Sequence, residues 1–337
     1  MTTWADSLPP PRKTVNYYTA DDPKGGALFI YGDADAAEIA IFCPGYADDH
    51  DVFMNFCHNL AEKNKTLVGL MCIPGFDDRP DKPWTTHKKG GYTFDEMAAA
   101  VRDAVKALRI ESTVENAKLT GFFHDWGVMP GLMWANITLE QEDTQLSPDQ
   151  LVLFDVLPPV HPSLKDDLPD HKPTTLREKI TTSIYRVLLA LAFAIQLYVS
   201  KYIALIVFGF GFTILGILGL APVLQIDIDT IQARKPPLDP HRMIYMAYPY
   251  LLMFTSRKVL LANSFLCKDL KKTPILYLYG TVKNMMFHDD GAVKYLERET
   301  KENRGKSNAI AIDNAGHYLY LQQPDKCLEE VMKFMAK

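Results

Sequence analysis

The segment GFFHDWG at 121–127 sets an acidic side chain, Asp125, between an apolar run and a helix-like one. A carboxylate on a strand-to-helix turn projects into a cleft. There it can attack carbon by displacement and form a covalent ester. The same carboxylate at the head of a helix can also act as an N-terminal cap, so position alone leaves both readings open. An ester of this kind needs a base to activate water. His317 closes NAIAIDNAGH (308–317) just past another apolar run, and an Ala-Gly-His turn there has few structural reasons. Asp155, in QLVLFDVLPP (150–159), ends a third run.

The elements that would position these residues can be read from the pattern. AEIAIFCPGYADD (37–49), TLVGLMCIPGF (66–76), AKLTGFFHD (117–125), QLVLFDVLPP and TPILYLYG (273–280) are apolar runs broken by Pro, Gly or Asp, and read as buried strands. Between two of them, YTFDEMAAAVRDAVKAL (92–108) is helical. Thr93 and Glu96 form a capping box, and Phe94, Met97, Val101, Val105 and Leu108 recur at helical spacing. VMPGLMWANI (128–137) starts a helix, and PDKCLEEVMKFMAK (324–337) closes the chain as one. Strands alternating with helices predict an α/β class, a mostly parallel central sheet covered on both faces. Functional groups then collect at the carboxyl ends of strands, where Asp125, Asp155 and His317 lie. Residues 1–24, polar and Pro-rich, read as an arm. Residues 25–156 and 256–337 form the core, and 157–255 interrupt it as an inserted cap.

Composition narrows the function. The chain has 337 residues and a net charge of −5 spread evenly, which argues against a nucleic-acid partner. Its five cysteines (Cys43, Cys57, Cys72, Cys267, Cys327) are scattered without CxxC spacing, as in reduced, cytosol-facing proteins. The start shows no cleavable signal pattern. No His, Cys and Asp set has metal-ligand spacing, so neither a metal nor an organic cofactor is expected. The hydrophobic segment 185–226 is unusual. Between Val187 and Ile226 its only charge is Lys201. YIALIVFGFGFTILGILGLAP (202–222) is long enough to cross a bilayer, whereas 187–200 is apolar but short. Strands on both sides of the segment must join one sheet, so both its ends lie on one side of a membrane. It is expected to form a hairpin turning near Ser200–Lys201, or to lie buried or interfacial in the cap. Lys172, Arg177, Lys179, Arg186, Arg234 and Lys235 flank it, which suits cytosolic placement of both ends. Lipid would then be a partner, and the cleft would take an apolar small molecule.

HDWG at 124–127, GHYLYLQQPDKCLEEVMKF at 316–334 and CPGYADD at 43–49 together resemble the α/β-hydrolase fold family. HDWG is similar to the nucleophile elbow of epoxide hydrolases and haloalkane dehalogenases, which carry Asp as nucleophile. The resemblance covers most of the chain outside 1–24 and 185–235. It implies Asp125 as nucleophile, His317 as base, and the backbone N–H groups of Tyr46 and Trp126 as oxyanion donors. It also implies an acid soon after the strand at 273–280, yet Lys283 stands there. Asp155 is one replacement, as in some haloalkane dehalogenases; Asp289 or Asp290 is another; a missing acid is the third. Cap tyrosines protonate the epoxide oxygen in that family, and HRMIYMAYPYLLMF (241–254) offers Tyr245, Tyr248 and Tyr250, with Tyr185, Tyr198 and Tyr202 as weaker candidates. His124 and His288 read as supporting residues. Pro44, Tyr46 and Phe123 depart from the usual His, halide-holding Asn and small residue at their positions. The expected function is hydrolysis of a lipophilic epoxide by a membrane-attached enzyme. A haloalkane dehalogenase is the second reading, and a hydrolase-like scaffold without turnover the third.

Overall fold

A computed structural model describes the chain except residues 1–8, 20–21, 161–175, 219–224, 233–238, 257–265, 267–269, 271–272, 284–285, 289, 300–306 and 337. Two strands, β1 (Lys13–Thr19) and β2 (Asp22–Tyr31), open the fold as an antiparallel pair. Residues 13–19 and 22–24, read from the sequence as part of an arm at 1–24, are thus strand; 1–8 and 20–21 lie outside the described residues. Val15 and Tyr17 alternate inward along β1, a period of two that a count of polar residues overlooks.

The remaining strands are β3 (Glu38–Cys43), β4 (Thr66–Leu70), β5 (Lys118–His124), β6 (Gln150–Phe154), β7 (Ile275–Gly280) and β8 (Asn308–Ile312). They complete an eight-stranded sheet in the order β1-β2-β4-β3-β5-β6-β7-β8, parallel from β4 to β8. Helices cover both faces, which explains why the inner strands read as continuous apolar runs. Ile39, Ile41 and Cys43 of β3 pack with α2 (Phe94–Glu111) and α3 (Val128–Glu140). Ala40 and Phe42 face α1 (Met54–Asn64) and the C-terminal helix on the other side. The capping box of α2 is in place: the Thr93 hydroxyl accepts the Glu96 N–H at 3.2 Å, and the Glu96 carboxylate accepts the Thr93 N–H at 2.6 Å.

After β6 the chain leaves the sheet. Helices α4 (Leu176–Tyr198) and α5 (Lys201–Ile217) form a hairpin through Val199 and Ser200, where the Ser200 hydroxyl accepts the Tyr202 N–H at 3.3 Å. Leu188 of α4 presses on Gly211 of α5, where any Cβ would collide with it. Then follow α6 (Gln225–Gln232), α7 (Pro240–Met246) and α8 (Tyr248–Thr255). Beyond β7 come α9 (Asp290–Glu299), α10 (Leu319–Gln322) and α11 (Pro324–Met335).

One side of the hairpin packs on the cap: Phe193 of α4 meets the rings of Tyr245 and Tyr248, and Ala192 clusters with Ala204 and Ile244. The other side does not. Ile180, Ile184, Val187 and Leu191 of α4, and Ile203, Ile206, Phe210, Ile214 and Ile217 of α5, all stand exposed. Steps of three and four put each set on one helical face. Among the described helices, Ile180–Tyr198 alone is long and apolar enough to cross a membrane, and only 28% of its most apolar window is buried. The sequence placed the longer apolar element at 202–222. Instead α5 ends at Ile217, while α4 extends back through Arg186 to Leu176. Of the flanking basic residues, Lys172, Arg234 and Lys235 fall outside the described residues.

Candidate active site

β5 runs into a single tight turn, Asp125–Gly127, and then into α3. Asp125 takes φ +48° there. A non-glycine residue in that region costs on the order of 1 kcal/mol and persists where its surroundings enforce it. Two glycines do so. A Cβ on Gly45 would stand 2.5 Å from both Asp125 Oδ2 and the Trp126 nitrogen, so glycine alone allows the loop after β3 to come this close. A Cβ on Gly127 would run into the backbone carbonyls of Cys43 and Pro44. Phe123, bulkier than the resemblance implies, fits because its ring lies on Gly131 of α3.

The Asp125 carboxylate is held at one end by backbone. The Tyr46 N–H donates to Oδ2 at 2.7 Å, and the Trp126 N–H also bonds the carboxylate. These are the two N–H groups expected as oxyanion donors. The other oxygen, Oδ1, lies 3.7 Å from His317 Nε2. His317 Nδ1 sits 2.6 Å from Asp155 Oδ2. Asp155, fully buried, also has a positive φ, +65°, just past β6. Asp125, His317 and Asp155 therefore form one hydrogen-bonded and electrostatic chain across the carboxyl ends of β5, β6 and β8. Of the alternative acids, Asp290 is exposed at the start of α9, and Asp289 lies outside the described residues.

Burial pushes the Asp125 carboxyl up from its ordinary value; the nearby His317 and the two N–H groups oppose this without cancelling it. For His317, burial pulls the pKa down, but the bond to Asp155 and the charges of Asp155 and Asp125 outweigh it and leave it raised. Lys283 opposes them. Its ammonium forms a buried ion pair with Asp155 Oδ1, and the Gly280 N–H donates to the same oxygen at 3.2 Å. The departure noted in the sequence is thus a direct partner of Asp155.

The cap supplies hydroxyls. Tyr250 of α8 and Tyr185 of α4 share a hydrogen bond. The Tyr250 ring stands edge-on to Trp126 at 4.9 Å and to Tyr46 at 5.4 Å, so the pair hangs over the Asp125 turn. Burial, then the neighbouring Tyr185 and Asp125, keep the Tyr250 hydroxyl well above its ordinary range and so protonated. The Tyr46 hydroxyl is buried and has no hydrogen-bond partner among the described residues. Tyr245 and Tyr248 are engaged elsewhere. Tyr245 donates to the Lys88 carbonyl at 2.7 Å, and Tyr248 to the Pro74 carbonyl at 2.6 Å. Their hydroxyls tie the cap to the core, a correction to their reading as donors at the reaction centre. Tyr198 and Tyr202 are exposed at the hairpin turn.

Two supports were not singled out from sequence as partners of His317. Asp227 of α6, buried, accepts the His317 N–H at 2.8 Å. The ring of His124 lies 4.5 Å from that of His317, and its Nε2 is 3.2 Å from the His317 carbonyl. No local signal marks Asp227, which reaches His317 across ninety residues of sequence. Asp49, His50 and Asp51 bring ligand-type atoms within 4.8 Å of one another. Asp49 there accepts the Asp51 N–H and faces the Arg242 guanidinium, as an ion-paired turn does. The described cysteines, Cys43, Cys57, Cys72 and Cys327, are free and buried.

No protein-family model and no curated protein matches the chain. Solved structures do match its fold. A haloalkane dehalogenase loop variant from Bradyrhizobium elkanii is 13% identical, with a TM-score of 0.58 over 96% of this chain and 95% of that one. An epoxide hydrolase of the α/β-hydrolase superfamily, from metagenomes of hot environments, is 13% identical, with a TM-score of 0.56 over 99% of each chain. A thermophilic esterase from Thermogutta terrifontis is 14% identical, with a TM-score of 0.55 over 96% and 98%. At these identities the likeness establishes the α/β-hydrolase fold: a mostly parallel sheet, helices on both faces, and a cap-like region with an apolar helix.

Proposed function

We propose that the protein is a membrane-attached hydrolase that opens lipophilic epoxides through an ester on Asp125. The observation that carries this reading is the position of Asp125, with Oδ2 on the Tyr46 N–H, the Trp126 N–H also on the carboxylate, and Oδ1 towards His317. A carboxylate so held can form a bond to carbon through Oδ1 while Oδ2 stays in the donor pocket. The tyrosine pair favours an epoxide. As Oδ1 attacks one ring carbon, that carbon–oxygen bond breaks, and the Tyr185–Tyr250 pair gives a proton to the ring oxygen. His317 then takes a proton from water, and the hydroxyl adds to the ester carbonyl. The alkyl oxygen leaves with that proton, returned by His317, as the second alcohol of a diol, while the regenerated Asp125 carboxyl ionises. The proton released in hydrolysis balances the one taken from the tyrosines. Asp155 orients His317 and supports its charged form.

A haloalkane dehalogenase is the second reading, favoured by the seat of Asp155 after β6. Tyr46 stands where such an enzyme holds halide with an amide, and it weighs against this alternative.

The exposed apolar faces of α4 and α5 support attachment to lipid. A hairpin lying in the interface keeps both ends on the side of the sheet, taken to be cytosolic, and needs no crossing. Tyr198, Lys201 and Tyr202 at its turn are residue types that tolerate a wet boundary. Because Tyr185 lies on α4, such a seat brings apolar substrates near the cleft. The test is product identity: the purified protein, given a long-chain terminal epoxide in detergent, yields a diol. Turnover of the matching alkyl halide with halide release, and none of the epoxide, would instead select the dehalogenase.

A further inference from the structure

We propose that Lys283 is a positioning residue that makes the protonation of His317 follow the chemical state of Asp125. This rests on Asp125 being the nucleophile. The Lys283 and Asp155 side chains are 2% and 0% exposed, so the ion pair is fully inside the protein. Burying an ammonium is unfavourable unless its partner is close, and this partner also bonds His317. The two oxygens of Asp155 divide the work: Oδ1 takes Lys283 and the Gly280 N–H, and Oδ2 takes His317.

The charges facing His317 come from several elements. Asp125 reaches it from the turn after β5, Asp155 from the end of β6, and Lys283 from the loop after β7. Asp227 of α6 holds its backbone N–H, and the His124 ring of β5 lies beside it. Tyr318, its chain neighbour, has its hydroxyl bonded to Asp48. Phe287 adds an apolar ring at 5.3 Å. Of these groups only Asp125 changes charge during the reaction as written; the Tyr185–Tyr250 pair, which gives up its proton in the same step, sits over the Asp125 turn against Trp126 and Tyr46.

In the resting enzyme the Asp125 and Asp155 carboxylates draw a proton onto His317, and Lys283 opposes them. Formation of the ester turns Asp125 neutral. Asp155, opposed in part by Lys283, then remains beside the ring, and the imidazolium loses the support of Asp125. It releases its proton to solvent and becomes the neutral base that water activation requires. Without Lys283, Asp155 faces His317 unopposed and keeps it protonated after the ester has formed. The direction in which Lys283 acts on His317, downward, agrees with this sequence.

The test follows formation and decay of the Asp125 adduct by rapid quench and intact mass. It uses the full chain in detergent with a long-chain terminal epoxide, across pH, in wild type, Lys283→Met and Lys283→Arg. Lys283→Met is expected to move the midpoint of the decay limb up by about one pH unit and to slow decay at neutral pH by about 10-fold. Lys283→Arg, which keeps the charge, is expected to restore it. A decay limb in Lys283→Met that coincides with wild type, or equal slowing by Met and Arg, would overturn the proposal. Absence of adduct in every variant, wild type and His317→Gln included, would instead remove the Asp125 reading and this proposal with it. Should Lys283→Met not fold, His317 is titrated by NMR in wild type and Asp125→Asn, whose neutral amide imitates the ester. A midpoint lower by about one pH unit in Asp125→Asn is expected, and equal midpoints would count against the proposal.

Discussion

His317 Nδ1 lies 2.6 Å from Asp155 Oδ2, while His317 Nε2 lies 3.7 Å from Asp125 Oδ1. One imidazole thus links two carboxylates that end adjacent parallel strands. The ring nitrogen facing Asp125 is the one positioned to receive a proton from water approaching an ester on Oδ1.

Ester hydrolysis should be lost as pH falls. It needs neutral His317, whose pKa is raised above 6.5, the burial that lowers it being outweighed by Asp155 and Asp125. That raised value belongs to the free enzyme, where Asp125 is charged, so titration of His317 there should give a midpoint above 6.5. In the adduct Asp125 is neutral, and the decay limb should have a lower midpoint than this, with adduct accumulating below it. For folding, a raised histidine pKa gives stability that is full below the unfolded value and is lost as pH rises through the folded one. Chemical denaturation across that window should show this slope in wild type and not in His317→Gln.

Asp125→Asn should abolish turnover, by about 10³-fold or more, without weakening the fold. The folded carboxyl is raised above 3.8, chiefly by burial, so ionised Asp125 opposes folding as pH rises past that value. The amide removes this cost and can still accept the Tyr46 N–H. Thermal unfolding at neutral pH should find the variant as stable as wild type or more so, and a large drop would contradict the assignment.

The tyrosines should separate into two kinds. Tyr250→Phe and Tyr185→Phe should each slow adduct formation from an epoxide by about 10²-fold, and the double variant by less than the product, because the two hydroxyls share one proton site. Adduct formation from an alkyl halide, which needs no such proton, should hold. Tyr245→Phe and Tyr248→Phe should leave both reactions near wild type and cost about 1 kcal/mol of stability through the lost bonds to Lys88 and Pro74.

Much of this was legible in the sequence. The strand ends are written in Pro-Gly, His-Asp-Trp-Gly and Pro-Pro, and the capping box of α2 in Thr93 and Glu96. Asp125, Asp155 and His317 lie where such strands end. What was misread depends on contacts between distant parts of the chain. Lys283 stood out as a wrong residue for its place, but its partner Asp155 is 128 positions away. Tyr245, Tyr248 and Tyr250 looked equivalent. Met246 ends α7, and Pro249 sits in the first turn of α8, so the helix breaks between them. Tyr250 then turns towards Trp126, while the other two face Lys88 and Pro74. Tyr185 could not be ranked because its value comes from Tyr250. The strands of the first 31 residues were hidden by polar composition, since an edge strand buries only alternate residues.

Charges on the exposed face of α5 should release the protein from lipid. Ile206→Asp with Phe210→Asp is expected to lower partitioning onto phosphatidylcholine vesicles by about 10-fold or more, as each large apolar side chain contributes roughly 1.5–3 kcal/mol when buried. Turnover of a water-soluble epoxide should be unaffected, since neither residue belongs to the site. Unchanged vesicle binding would remove the lipid role of this face.

The most direct measurement is to trap the ester. The His317→Gln variant, purified in detergent and incubated with a long-chain terminal epoxide, is analysed by intact mass and by sequencing of the modified peptide. The account predicts a mass increase equal to one epoxide, located on Asp125 and reversed by no further incubation at neutral pH. A folded variant that carries no adduct, or carries it on another residue while wild type forms diol, would contradict the assignment of Asp125 as nucleophile.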